Sequence, residues 1–294
     1  MKNIFLIGGS GFLGYYLIKE LKKNNYNIYA HVHKTKPKLK NIKLAYVDLS
    51  DHKKFVLYIK KNKINYIINL ASIADVDKCE INKKLAELTH IHLVTKILNA
   101  AKTLDIPIVH MSTDQLYAGK IKSYYSEKSK KEPLNYYAFT KSKSENILLN
   151  YQKSLIIRSN FFGKNFSISK KSFSDKILFY LNKNKKINLW SDIYFSPVFV
   201  TTLVVIIIFL IKKKDFGIFN VSSIKISKFH LGKKIAEVFK LNKSLVQKNS
   251  FNIHEFVNRP KNSSLSNNKL TKKISKFNKK IKSYVSVTTI KKTV

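Results

Sequence analysis

Between residues 4 and 157 the chain alternates short apolar runs with segments of helical period, which restricts its fold more than any other feature. Ile4-Phe5-Leu6-Ile7, Asn27–Val32, Lys43–Val47, Tyr66-Ile67-Ile68-Asn69-Leu70, Ile106–Met111 and Leu155-Ile156-Ile157 read as strands. Tyr15–Lys23, Asp51–Lys61, Ala86–Leu104 and Tyr137–Tyr151 read as helices, the first with Leu17, Ile18 and Leu21 on one face. Strands apolar on both faces and separated by helices need cover on both sides, so the expected class is α/β with a parallel sheet.

The turn after the first strand sharpens this. Gly8-Gly9-Ser10-Gly11-Phe12-Leu13-Gly14 places glycines at its first, fourth and seventh positions, after a strand and at the opening of a helix. Gly8 suits the tight turn, Gly11 leaves room for a pyrophosphate, and Gly14 allows close packing of the helix. The free N–H groups and positive dipole end of that helix complete a dinucleotide site, with Phe12 and Leu13 in its first turn. The architecture expected is therefore a Rossmann-type doubly wound sheet.

After about residue 160 the pattern loosens. Lys164–Lys186 is polar and basic, with a helical stretch near Phe173–Leu181. A helix at Phe199–Ile211, a strand at Gly217–Val221 and a helix at Leu231–Phe239 follow. We expect residues 1–160 to form the dinucleotide-binding domain. Residues 161–294 should form a smaller substrate lobe over the carboxyl edge of the sheet, with one strand or helix returning to the first domain. Lys272–Lys292 reads as an amphipathic helix or a frayed tail.

The formal charge is +39, from 56 Lys+Arg against 17 Asp+Glu. Only Arg158 and Arg259 are arginine, although arginine does most bidentate phosphate and base reading. Lysines run along the whole chain with Asn and Ile, as in a general compositional bias, and no specific nucleic-acid partner is expected. Cys79 is the only cysteine, which excludes an intramolecular disulfide and a Cys-rich metal site and fits a reducing, cytoplasmic setting. The Phe199–Ile211 run falls short of the ~20 residues that cross a bilayer, so it reads as a buried helix. The apolar N-terminus stops at Gly8 and is not a secretory leader.

Three further places carry chemistry. The second strand ends Tyr29-Ala30-His31-Val32-His33-Lys34, without the carboxylate that usually meets a ribose 2′-hydroxyl. His31 and Lys34 either face a 2′-phosphate or are solvated basic residues. Asp48, followed by Leu49 after the third strand, has a carboxylate that can accept from an adenine amino group. Tyr137 and Lys141 lie one helical turn apart and share a face, one helix after Ser112-Thr113-Asp114. A phenol near an ammonium can pass a proton to a carbonyl oxygen while hydride reaches the carbon, and a hydroxyl at Thr113 can bind that oxygen.

Taken with Asn69-Leu70-Ala71-Ser72, Val76-Asp77-Lys78-Cys79-Glu80, Ser112–Gly119, Pro133–Tyr137, Arg158, Phe161-Phe162-Gly163, Asp192, Ser196-Pro197-Val198, Gly217, Arg259-Pro260 and Leu265, these segments resemble the extended short-chain dehydrogenase/reductases. Within that group the chain most resembles the dTDP-4-dehydrorhamnose reductase family. The resemblance implies 4-keto reduction of a nucleotide-linked deoxysugar with NADPH or NADH, in polysaccharide biosynthesis, by an enzyme that pairs as a homodimer. It implies that Tyr137 donates the proton, Lys141 lowers its pKa and binds the nicotinamide ribose, and Thr113 binds the keto oxygen. Asp114 would lie beside it and Phe161 would touch the sugar, while Ala71, Ser72, Ile73, Ala74 and Met111 would line the cofactor.

The chain departs from the family at His31, at Ala74 where threonine is common, and at His90 where Asn is usual. His90 is either a proton relay or a packed structural residue. Gln115 stands where dehydratases of the same fold carry a glutamate base. An epimerase, or a non-catalytic subunit like that of methionine adenosyltransferase, are the alternatives. Retention of Thr113, Tyr137 and Lys141 favours catalysis.

Overall fold

The computed structural model describes residues 1–120, 123–166, 171–252 and 254–275. Strands β1 (Asn3–Ile7), β2 (Asn27–His31), β3 (Lys43–Ala45), β4 (Ile64–Asn69), β5 (Ile108–Met111) and β6 (Ser154–Arg158) form the first part of the chain. Short strands β7 (Phe161–Phe162), β8 (Ile187–Trp190), β9 (Tyr194–Phe195) and β10 (Val198–Phe199) follow, then β11 (Gly217–Asn220), β12 (Ile226–Ser227) and β13 (Val246–Asn249). The helices are α1 (Phe12–Lys23), α2 (His52–Lys61), α3 (Val76–Ile81), α4 (Lys83–Glu87), α5 (Leu93–Leu104), α6 (Tyr136–Leu149), α7 (Phe173–Asn182), α8 (Val200–Lys212), α9 (Lys228–Val238) and α10 (Asn268–Ser275).

The main sheet is parallel throughout, in the order β3-β2-β1-β4-β5-β6-β11. The order reverses between β1 and β4, and a doubly wound sheet opens its ligand crevice there, at the carboxyl ends of the strands. One core lies between the sheet and α1, α8 and α10, and includes Leu17, Ile18, Leu21, Leu203, Ile207 and Leu270. The other lies between the sheet and α2, α5 and α6, around Phe5, Phe55, Ile67, Ile97 and Leu148. A third joins α7 and α9 to β8 and β13 through Ile177, Leu189, Leu231, Ile235 and Val246. Strand β11 carries the chain back to the main sheet after this third core begins.

The apolar run expected at Phe199–Ile211 is α8, which buries nine apolar side chains. Its β-branched residues each cost up to ~0.7 kcal/mol in helix propensity. Burial of each large apolar side chain contributes about 1.5–3 kcal/mol, so packing decides the conformation. Among the described residues no helix is long and apolar enough to cross a membrane.

The structure differs from the sequence reading in places. Strand β3 stops at Ala45, and Val47 lies beyond it with its carbonyl turned to His31. The long helix expected at Ala86–Leu104 is interrupted by a π turn at Leu88–His92 between α4 and α5. The lysine-rich end beyond residue 275 lies outside the described residues.

Candidate active site

The glycine turn is built as its spacing requires. Gly8 has φ +81°, and a Cβ there would stand 2.8 Å from the Ala71 nitrogen. At Gly14 a Cβ would stand 2.5 Å from the Gly8 carbonyl oxygen, so the close approach is to the turn itself. At Gly11 a Cβ would meet only the Gly8 oxygen at 3.3 Å, with open space beyond. Gly11 caps α1 without a side-chain hydrogen bond, and no acidic residue lies in the first turn. The leading N–H groups of α1 are thus available to an anion. Leu13 is packed in the core, so only its backbone faces this space. The Phe12 ring instead reaches across to Phe161, 5.4 Å away between centroids.

At the ends of β2 and β3, His31 and Asp48 hold local hydrogen bonds. His31 Nε2 donates to the Val47 carbonyl at 3.0 Å, and burial lowers its pKa below the usual imidazole value. A neutral ring held this way is a poor partner for a 2′-phosphate. Asp48 accepts from the Ser50 backbone and hydroxyl at 2.7 Å, which hold its carboxyl below the usual range. The Leu49 side chain belongs to the core. A small crevice beside Gly9 and Ser10 is lined by Lys36 and Lys38, which the sequence did not single out.

Helix α6 carries the Tyr-Lys pair, and its start is fixed twice. The Asn135 side chain accepts from Ala138 N at 2.9 Å and donates to the Asn258 carbonyl at 2.9 Å. Glu80 accepts from Tyr136 N at 2.9 Å. Tyr137 is buried, and the hydroxyls of Thr113 and Ser72 stand beside its phenol. Burial pushes the phenol up to about 12, against the pull of those two hydroxyls. It is therefore protonated at neutral pH. The Lys141 ammonium, which burial draws down to about 8, donates to the Met111 carbonyl at 2.6 Å and lies 3.2 Å from His110 Nε2. In this arrangement the lysine faces the end of β5, and burial with the two hydroxyls sets the state of the phenol.

Asp114, also buried, accepts from Ser263 Oγ at 2.8 Å and from Asn160 Nδ2 at 3.2 Å. Burial raises its pKa above the carboxylate norm. Its oxygens tie the end of β5 to the segment after β6 and to the segment before α10. Behind the site, Arg158 and Glu145 form a fully buried, two-pronged ion pair at 2.9 and 2.6 Å. Ser112, next to Thr113, donates to the same carboxylate at 2.5 Å.

The structure thus gathers Gly8–Gly14, Ala71–Ala74, Met111–Asp114, Tyr137, Lys141 and Phe161 at the carboxyl edge, where the strand order reverses. It adds Lys228 and Trp190, which the sequence left unnoticed, beside Arg259. Lys228 Nζ sits 4.3 Å from the centre of the Trp190 ring, and the Arg259 guanidinium 5.6 Å from the same ring. Arg259 also pairs with Asp77 at 2.9 Å. Burial, then repulsion from Arg259, draws Lys228 down to about 8. Two neighbouring, partly buried cations suit an anionic ligand. No local pattern marks Lys228 among 54 lysines. Among the described residues no group of His, Cys, Asp and Glu could hold a metal ion.

Comparison with known proteins agrees with this layout. A dTDP-4-dehydrorhamnose reductase of Salmonella typhimurium is 31% identical over 170 residues, 56% of this chain and 54% of that protein. The match thus spans about half the length of this curated relative. A crystal structure described as a hypothetical dTDP-4-dehydrorhamnose reductase from Sulfolobus tokodaii is 30% identical, with a TM-score of 0.81 over 92% of this chain and 94% of that one. A dTDP-4-dehydrorhamnose reductase from Bacillus anthracis, solved in complex with NADP, shares the fold at 24% identity, with a TM-score of 0.80 over 93% of each chain. The sequence model of one family, the RmlD substrate binding domain, runs from residue 1 to 290, through both the glycine turn and the cations around Trp190, and the chain belongs to that family.

Proposed function

We propose that this chain is an NADPH- or NADH-dependent reductase of the 4-keto group of a nucleotide-linked deoxysugar, with dTDP-4-dehydrorhamnose as the substrate to test first. The observation that carries the reading is the Thr113–Tyr137 pair, with a phenol kept protonated at the carboxyl edge, opposite the free N-terminus of α1. The relatives' names point the same way, as does NADP in the Bacillus anthracis structure.

In this reading residues 1–160 hold the cofactor and residues 161–294 hold the sugar nucleotide. The first-turn N–H groups of α1 bind the cofactor diphosphate, and the open space over Gly11 admits it. When bound, the cofactor supplies the hydride. Lys141 uses hydrogens not committed to Met111 to hold ribose hydroxyls. Thr113 hydrogen-bonds the keto oxygen, and Tyr137 transfers its phenolic proton to that oxygen as the carbon is reduced. Asp114, fixed by Ser263 and Asn160, positions Thr113, and Phe161 walls the sugar. Lys228 and Arg259 take the substrate diphosphate, and Trp190 gives the cations a face to rest on. Gln115 cannot act as a base, which disfavours dehydration. The reading places the enzyme in the cytoplasm as a pair of identical chains.

The test is NADPH oxidation, followed by loss of absorbance, against a panel of 4-keto nucleotide sugars. Turnover with dTDP-4-dehydrorhamnose is expected. NADPH binding without oxidation by any member of the panel would overturn the reading.

A further inference from the structure

The π turn places His90, 1% exposed, between the segment after β4 and helix α6. The Ile73 amide lies 3.0 Å from His90 Nε2. An amide N–H can only donate, so Nε2 carries no proton and the neutral ring is protonated at Nδ1. That N–H donates to Thr140 Oγ1 at 2.8 Å. The Thr140 hydroxyl in turn donates to the Tyr137 carbonyl at 2.9 Å or the Tyr136 carbonyl at 3.1 Å. Every direction in this chain is fixed, and it ends on the backbone of α6. It is not a path to solvent. Burial, then the nearby Lys141 charge, pushes His90 down to about 3, so the ring stays neutral.

Ser72 Oγ lies 3.1 Å from the same Nε2 and stands beside the Tyr137 phenol, whose charged form it favours. Nε2 has one lone pair, and the Ile73 amide already shares it. The Ser72 proton is therefore held there weakly and can turn to the tyrosine oxygen. The rings of His90 and Tyr137 meet edge to face at 5.7 Å, with Ser72 next to both.

We propose that Ser72 is a further catalytic residue, a second donor beside Thr113 to the oxygen of Tyr137, and that His90 is the positioning residue that holds it. The inference rests on the reductase reading above. In the reduction, the Tyr137 O–H bond breaks as an O–H bond forms on the sugar, and the phenoxide left behind gains the Ser72 hydrogen bond. No bond of Ser72 breaks. The charged and titratable groups around that phenol are Asp114 after β5, Cys79 on α3 and the neutral His90, while the Lys141 ammonium is turned to the Met111 carbonyl. A donor to the charged form favours it, so loss of Ser72 raises the tyrosine pKa.

The experiment compares wild type, Ser72→Ala, Ser72→Thr and His90→Gln. In Ser72→Ala, kcat should fall about tenfold to a hundredfold, the range for a hydrogen bond to a charged group. KM and the NADPH Kd should stay within about twofold. In the reverse oxidation, where Tyr137 must accept the proton, kcat rises with pH, and that limb should move up by about one pH unit. Ser72→Thr should restore both, and His90→Gln should shift the limb in the same direction. A weakened NADPH Kd with an unmoved limb would make Ser72 a wall of the cofactor cleft and overturn the proposal.

A second arm needs no turnover. In protein labelled at tyrosine Cζ and histidine nitrogen, NMR should show His90 protonated at Nδ1 and not titrating between pH 5 and 9. The Tyr137 resonance should move in Ser72→Ala. A titrating ring, or an unmoved tyrosine signal, would overturn the inference. A wild type active on no keto sugar would sink the reductase reading alone.

Discussion

Replacing Glu145 with Gln keeps the side-chain shape and removes one charge from the buried pair behind the active site. Glu145 is 0% and Arg158 1% exposed by side-chain area, so water cannot compensate for the lost charge. The carboxylate accepts twice from Arg158, once from Ser112 and once from Lys131. A glutamine would turn an NH₂ toward one of these donors. Burial alone would push Glu145 up, but Arg158, Ser112 and Lys131 outweigh it and hold the carboxyl low. Breaking such a pair from one side costs about 3–5 kcal/mol. For a chain of this size that lowers Tm by roughly 6–20 °C. The acid limb gives a second sign. A carboxyl held low contributes stability above its unfolded pKa of ~4.3 and loses it as pH falls through the folded value. Wild type should therefore lose stability below about pH 4.5, a step that is missing in Glu145→Gln. Calorimetry from pH 3 to 8 measures both effects. A variant melting within about 2 °C of wild type at pH 7 would refute the account, as would an unchanged acid limb. The double change Glu145→Met with Arg158→Met should recover much of the loss, because no charge is left buried alone.

Four other outcomes are expected. Tyr137→Phe should lower turnover at least about a hundredfold while NADPH still binds, as measured by steady-state kinetics and fluorescence titration. Gly11→Val should abolish binding of NADPH and NADH in a folded protein, since its φ of −81° suits any residue and its Cβ meets only one backbone oxygen; circular dichroism and a binding titration decide it. NADPH should serve at least as well as NADH in kcat/KM, because Lys36 and Lys38 stand beside the glycine turn with no carboxylate after β2 to oppose a phosphate. Lys228→Met should raise KM for the sugar nucleotide about tenfold or more and leave the NADPH Kd unchanged.

What the sequence made legible was whatever repeats with a period or bends at glycine. The apolar runs of β1, β4 and β6 have one reading, and the turn from Gly8 to Gly14 can hardly serve another fold. The Tyr137–Lys141 spacing is helical arithmetic. The π turn was hidden because Leu88–His92 has the composition of an ordinary helix, and only its i→i+5 bonding brings His90 under Ser72. The two-residue strands β7, β9, β10 and β12 are too short for alternation to show. His31 looked available because its sequence neighbours are basic, yet its direction is set by the Val47 carbonyl just beyond β3. Trp190 and Lys228 meet only through the packing of the second half, which no local pattern encodes.

The hydrogen bond from Ser263 to Asp114 joins positions 149 residues apart. Its consequence lies in the time course of synthesis. A ribosome adding roughly 5–20 residues per second leaves about 7–30 s between the emergence of Asp114 and that of Ser263. During that interval the strands from β1 to β6 can pair, and Thr113, Tyr137 and Lys141 are already on the nascent chain. Asp114 then still lacks the donor that its burial demands. The cofactor half can thus mature well before the proton-transfer site is closed, and the emergence of the segment around Ser263 sets the moment when Asp114 gains this donor.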